Sequence, residues 1–354
     1  MFKNLAVLAL LGHVSADQIP LKKRELTQGM LDSQLNLKDG EKIDIINYND
    51  SEYYVNINVG TPGQPIEVAL DTTSSNVWAL GSGCTLLNGC KGKTVYKHKS
   101  SSTYKKNGKK IAIASDINGV ISNDKINLGG VNAQMDFAEI GKPPKGHFAD
   151  SKVTGVIGLA FPDAIVAGIE KTFMDQIDSE EQSFEISIAK NPDQSYLTIP
   201  APVKESNGQD THYVNERKYW SLHADYIQQG QEHKILTPKH RLVLDTSSSL
   251  IHGPKDIMGP LVDGLSVKED CSDVESLPPL HFALDGAKYT LEGADYVQKV
   301  DGKCQLGVKA TEATDFYIHL GTQFISKVSP VTFDYGRGLV RLTRTSESDE
   351  QFIQ

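Results

Sequence analysis

Val68-Ala69-Leu70-Asp71-Thr72-Thr73-Ser74-Ser75 returns 174 positions later as Leu242-Val243-Leu244-Asp245-Thr246-Ser247-Ser248-Ser249 in this 354-residue chain. Each copy is an apolar run that ends in Asp-Thr and continues as a string of hydroxyl residues. A single Asp-Thr after a strand is an ordinary strand-end turn, because Asp, Ser and Thr favour that position. Two copies in matching context, one in each half, point to two related halves that bring two carboxylates together. Carboxylates within hydrogen-bond reach cannot both ionise freely, so they share a proton and offer an acid and a base at one place.

The length predicts about two domains, each with enough chain for a core. Hydrophobic content of 39% and charged content of 23% are ordinary for a globular protein. The net charge of −9 argues against nucleic acid as a partner. The lysines Lys105-Lys106 and Lys109-Lys110 read as a solvated turn.

At the N-terminus, Lys3 precedes an apolar run from Leu5 to Leu11, and Val14-Ser15-Ala16 follows as a small-residue cleavage site. The run is too short to span a bilayer, and no later stretch reaches spanning length. Residues 1–16 are therefore expected to be a signal peptide, with the mature chain in the secretory pathway and then outside the cell or in a vacuole or lysosome. Residues 17–50 are charged and weakly apolar, with Lys22-Lys23-Arg24 near their start, and read as a prosegment. Asn49-Asp50-Ser51 is a glycosylation sequon. The four cysteines fall as two local pairs, Cys84 with Cys90 and Cys271 with Cys304, although four cysteines allow three pairings.

From Tyr53 onward the pattern is mainly β. Tyr53-Tyr54-Val55-Asn56-Ile57-Asn58-Val59 alternates, Gly60-Thr61-Pro62-Gly63 turns, and short strands recur to the C-terminus. Helices are expected over Ala164–Asp178 and near Lys255–Leu265. Asn118-Gly119 between strand-like runs predicts a two-residue hairpin turn, a candidate cover over a cleft. Gly92-Lys93-Thr94 ends like a phosphate-binding loop, but Leu87 stands where that loop needs glycine. No His-Glu-x-x-His and no Gly-x-Ser-x-Gly occurs, so neither a zinc-helix protease nor a serine hydrolase is indicated. His98, His147, His223 and His281 are scattered and read as surface or strand-edge residues.

Taken in order, several segments resemble the pepsin-like aspartic proteases, in the layout of cathepsin D and the fungal vacuolar and secreted members. Asp71 through Trp78 is similar to the first active-site loop of that family, and Val243 through Ile251 to the second. Thr154 through Pro162 resembles the segment closing the first lobe, and Tyr219-Trp220 the start of the second. Cys271 and Cys304 flank Leu277 through Phe282 as the family's last disulfide does, and Phe333 through Leu342 resembles its terminal strand pair.

The resemblance implies a bilobal fold of two pseudo-symmetric β lobes, residues 51–200 and 201–354, with the active site in the cleft between them. It implies an endopeptidase working at acidic pH and made as a zymogen. Asp71 and Asp245 would activate a water, one ionised and one protonated. Thr72 and Thr246 would cross-link the two loops, Ser74 and Ser248 would donate to the carboxylates, and Trp78 would support the site. Ser115, Asp116, Ile117, Asn118 and Gly119 would form the flap over an extended polypeptide substrate. The prosegment would inhibit from within the same chain, with Lys22, Lys23 or Lys38 pairing to the dyad. No cofactor and no metal is implied, and a monomer is expected.

The chain departs from the family at the site itself. Thr73 and Ser247 stand where the family has glycine, the hairpin lacks the family's tyrosine, and His319-Leu320-Gly321-Thr322 replaces a hydrophobic-hydrophobic-Gly-Asp segment. A β-branched Thr73 puts bulk beside the dyad, where glycine would let the backbone approach closely. A second reading follows: a homologue that keeps the fold, has lost catalysis and acts as a secreted peptide- or protein-binding protein. Retention of both aspartates argues against it, since two buried facing carboxylates are costly without a use.

Overall fold

Alternation of apolar and polar residues builds the strands, and the computed structural model places them in two β lobes joined by a shared sheet. The structure describes residues 18–20 and 53–345, apart from 130, 145–152, 167, 190–194, 202–207, 231–232, 237–239 and 314. The expected signal peptide, the Asn49 sequon, His147 and the prosegment lysines Lys22, Lys23 and Lys38 lie outside the described residues.

In the first lobe, seven strands run in the order Tyr54–Val59, Gln64–Asp71, Gly155–Gly158, Val77–Leu80, Val131–Ile140, Asn118–Leu128 and Lys105–Ala112. Tyr54–Val59 shows why period two decides the fold here. Val55, Ile57 and Val59 are buried, while Asn56 and Asn58 are exposed. Lys105–Ala112 is an exposed edge strand, with its register shifting between Lys106 and Lys110. Its lysines thus sit on a strand and not in a turn, the arrangement that discourages edge-to-edge pairing.

The second lobe holds a five-stranded sheet ordered Ser221–His223, Arg241–Leu244, Tyr317–Leu320, Ile251–Pro254 and Val308–Thr311. A four-stranded sheet and the pair Val297–Val300 with Lys303–Leu306 complete it. Joining the lobes is a six-stranded sheet in the order Gln18–Pro20, Tyr196–Thr198, Ser183–Ser187, Val331–Asp334, Leu339–Thr343 and Gln209–Tyr213. Three strands from the N-terminal part of the chain lie side by side there and meet three from the C-terminal part where Ser183–Ser187 pairs with Val331–Asp334, and Ile19 packs partly buried against the core. Trp220 anchors this junction. Its ring lies 4.4 Å from Phe161 and 5.0 Å from Phe333, and its Nε1 donates to Leu159 O at 2.9 Å.

Two further expectations are corrected. Ala164–Asp178 is not a helix, although its apolar spacing suits one; a short 3-10 turn, Pro162–Ala164, is followed by irregular turns. Gly168 sits at φ +109°, outside helical space, while Ile169, Phe173, Met174 and Ile177 reach the core from turns. Near Lys255 the helix is present as Lys255–Val262, and a second short one spans Thr322–Lys327. The Asn118-Gly119 hairpin turn is also overturned. Both residues already belong to the strand Asn118–Leu128, neither has positive φ, and the tip lies at Ser115 and Asp116. Ile113 and Ile117 close that tip, with Ile113 N donating to Ile117 O at 2.9 Å. Both disulfides form as the local pairs, Cys84–Cys90 and Cys271–Cys304.

Candidate active site

Asp71 ends the strand Gln64–Asp71, which runs parallel to Gly155–Gly158 with Asp71 opposite Gly158. Leu159 N donates to Asp71 O at 2.7 Å, and Gly158 N to Asn76 O at 3.1 Å. The second lobe repeats this frame. Arg241–Leu244 runs parallel to Tyr317–Leu320, Asp245 N donates to Leu320 O at 3.1 Å, and Gly321 N to Leu250 O at 3.1 Å. Gly158 and Gly321 hold equivalent crossings. A Cβ on Gly158 would lie 2.6 Å from Ser74 O, and one on Gly321 would lie 2.4 Å from Leu250 O. Only glycine lets these backbones pass so closely.

The two loops meet through their threonines. Thr72 Oγ1 donates to Leu244 O at 2.7 Å and accepts from Thr246 N at 3.0 Å. Reciprocally, Thr246 Oγ1 donates to Leu70 O at 2.8 Å and accepts from Thr72 N at 3.2 Å. All four residues are buried, and each hydroxyl satisfies a main-chain donor and acceptor of the opposite lobe. These bonds tie the loop that carries Asp71 to the loop that carries Asp245.

Thr73 and Ser247 act on the carboxylates directly. Thr73 donates to Asp71 Oδ1 through both its N, at 2.8 Å, and its Oγ1, at 2.7 Å. Ser247 does the same to Asp245 Oδ1 at 2.8 and 2.7 Å. The side chains that replace the expected glycines therefore fold back onto the aspartates as donors. Ser74 Oγ accepts from Asn76 N at 3.2 Å, and Ser248 Oγ from Leu250 N at 3.1 Å.

Of the hairpin residues, Ser115 and Asn118 are exposed, whereas Ile117 is buried together with Ile113 in the cluster that holds Trp78. Asn118 Nδ2 donates to Ser115 O at 3.0 Å, bracing the tip. Two isoleucines pack here into Trp78's apolar surroundings, in the hairpin that lacks the family's tyrosine.

Histidines were the signal that sequence reasoning undervalued. His319 Nδ1 lies 2.8 Å from Asp245 Oδ2, and the His252 ring stacks on His319 at 4.7 Å with planes 5° apart. Burial pushes the Asp245 carboxyl up, but the hydrogen bond and charge of His319, with the Ser247 hydroxyl, outweigh it and hold it below the ordinary range. Burial likewise works against a charged His319, yet the bond to Asp245 and its charge lift that imidazole above its usual value. His252 is pushed down to about 3 by burial and by the neighbouring His319 charge. Elsewhere, His281 is buried and bonded to Thr290 Oγ1 at 2.9 Å, and His98 pairs with the buried Glu139 at 2.9 Å. These two are satisfied structural histidines and not free surface ones, while His223 is exposed.

Asp245, His252 and His319 each offer a ligand atom within 4.8 Å of the others, the donor set of a zinc site. A metal lies near the plane of each imidazole that binds it, and two parallel stacked rings share no such point. The cluster as it stands is arranged for a hydrogen bond and a stack.

Two lobes, a duplicated Asp-Thr loop and reciprocal threonine bonds define an aspartic protease. The chain belongs to the eukaryotic aspartyl protease family, whose model matches residues 52–345. It is 29% identical over 340 residues to a probable vacuolar protease A of Arthroderma benhamiae, covering 88% of this chain and 82% of that one. It is 33% identical over 277 residues to cathepsin D of Chionodraco hamatus, covering 72% and 69% of the two chains. Renin of Rattus norvegicus is similar at 30% identity over 278 residues, 72% of this chain and 68% of that one. Family membership implies polypeptide substrates. No helix among the described residues is long and apolar enough to cross a membrane.

Proposed function

We propose that the protein is an endopeptidase that works at acidic pH through Asp71 and Asp245, made as a zymogen and sent along the secretory pathway to a vacuole or lysosome. The observation that carries this reading is the reciprocal Thr72–Thr246 cross-link, which holds the two aspartate-bearing loops against each other. One aspartate, ionised, takes a proton from a water as the water attacks, and the other, protonated, donates to the scissile carbonyl oxygen. When the tetrahedral intermediate expels the amine, the first passes the water's proton to the leaving nitrogen and the second regains its own from the hydroxyl that becomes the carbonyl. Extended substrate lies in the cleft under the hairpin Lys105–Leu128. Names of the relatives, a vacuolar protease and cathepsin D, support both the chemistry and the destination.

A specific observation favours the second reading, a binding protein without turnover: Asp245 has donors on both oxygens, Ser247 on Oδ1 and His319 on Oδ2. The test is cleavage of a denatured protein between pH 3 and 6 after confirmed removal of the prosegment, beside Asp71→Asn. Loss of the acid or base should cost about 10²–10⁴-fold in kcat/KM. Wild-type activity no higher than the variant's at every pH would leave only the binding reading.

A further inference from the structure

The two lobes repeat each other down to strand register, so the neighbours of each carboxylate can be compared position by position. Seven residues beyond the aspartates stand Trp78 (78 − 71) and His252 (252 − 245). In the first lobe Val156 pairs in parallel with Ala69 and antiparallel with Trp78. In the second, His319 pairs in parallel with Val243, the equivalent of Ala69, and antiparallel with His252. The imidazole pair beside Asp245 thus takes the place held beside Asp71 by a valine and a tryptophan. Val156 and Trp78 are both buried, in one apolar cluster with Ile113 and Ile117.

A carboxyl group flanked by apolar side chains favours its neutral form, and one hydrogen-bonded to an imidazolium favours its charged form. Where two titratable groups of one site are pushed apart by their surroundings, the acid and the base are thereby assigned. We propose that His319 is a positioning residue that sets the polarity of the dyad: as an imidazolium bound to Asp245 Oδ2 it keeps Asp245 the carboxylate, and the proton of the pair resides on Asp71. This rests on the reading of Asp71 and Asp245 as a proton-sharing pair. Asp245 then polarises the water, and Asp71 donates to the carbonyl.

Each group facing His319 fits this role. Asp245 and then Asp315 favour its charge, and Asp71, holding the proton of the pair, adds no opposing charge. His252, stacked on its face, is kept neutral by burial and by that same charge, so it adds no second cation. Lys309 sits across the strand pair from His252, one strand further from the dyad. The ring is 25% exposed, and Asp245 beneath it 5%. With little water at the pair, the attraction is weakly screened.

The experiment reads protonation directly and does not depend on turnover. Aspartate carboxyl carbons and histidine ring nitrogens are followed by NMR between pH 3 and 7 in the protein after prosegment removal. Comparison is with His319→Val, which copies the residue at Val156, and His319→Gln, which keeps a neutral donor. The expected result at pH 5 is a charged His319, an ionised Asp245 and a protonated Asp71, with the proton no longer confined to Asp71 in His319→Val. In parallel, kcat/KM at pH 3 relative to pH 5 should fall roughly tenfold in His319→Val, the scale of one charge partner's effect on a carboxylate. His319→Gln should recover only part of that loss. A neutral His319 at pH 5, or a proton on Asp245 in the wild type, overturns the proposal. Absent cleavage with the expected protonation states would overturn the endopeptidase reading and leave the assignment standing; normal cleavage with a neutral His319 would do the reverse.

Discussion

Replacing Thr72 by valine keeps the shape of the side chain and removes the oxygen that ties the lobes together. Thr72 Oγ1 donates to Leu244 O at 2.7 Å and accepts from Thr246 N at 3.0 Å. Valine leaves the Thr246 N–H without that acceptor in a site where Thr246 is only 7% exposed. An orphaned buried donor costs about 1–3 kcal/mol, and the lost bond to Leu244 O adds about 1 kcal/mol. The expected loss is therefore about 2–4 kcal/mol, a sizeable part of an ordinary folding free energy. Thr72→Ser is the control. It keeps the oxygen and loses one methyl, worth about 1 kcal/mol. Urea titration followed by tryptophan fluorescence measures both, because Trp220 is buried at the junction of the lobes. At about 3 kcal/mol/M, the valine variant should melt roughly 1 M earlier in urea. If valine costs no more than serine, the cross-link does not stabilise the lobes and the argument from hydrogen bonding is wrong.

Gly321→Ala should be severe, since its Cβ would sit 2.4 Å from Leu250 O and 2.6 Å from Ser248 O, both backbone atoms. Overpacking of that kind costs about 1–3 kcal/mol or more, and a midpoint equal to that of the wild type in urea would refute it. The His319–Asp245 pair makes a pH prediction whose sign is determined. Asp245, held low in the fold, contributes stability that is present above about pH 4 and is lost as pH falls through its folded value. His319, held high, contributes stability that is full below about pH 6.5 and is lost as pH rises through its folded value. The stability difference between wild type and His319→Val should thus form a plateau from about pH 4 to 6.5 and shrink on both sides; a difference independent of pH would contradict the pairing.

Local pattern carried far in this protein. The duplicated Asp-Thr loop pointed to the aspartic protease family, because an apolar strand ending in Asp-Thr is a feature of adjacent residues. Period-two burial in Tyr54–Val59 was equally readable. Pattern misled where a single backbone angle or a distant partner decided. Ala164–Asp178 has helical spacing, but Gly168 at φ +109° and the core positions of Phe173 and Met174 hold it in turns. Asn118-Gly119 has the composition of a tight turn, yet pairing of Gly119 with Ile140 draws it into the strand. Thr73 looked like an obstruction by size alone, whereas its hydroxyl is bonded to Asp71.

Sequence by itself determined the class of fold, since its strand periodicity and its duplicated Asp-Thr loop are written in residues that are neighbours along the chain. Only the tertiary structure decided which environment each aspartate has. His319 and Asp245 are 74 positions apart, and His252 belongs to a third strand. A parallel pairing on one side and an antiparallel pairing on the other bring them together, at the place where the first lobe sets Val156 and Trp78. The strength of a charge pair depends on separation and on the exclusion of water, and both are properties of the packed sheet.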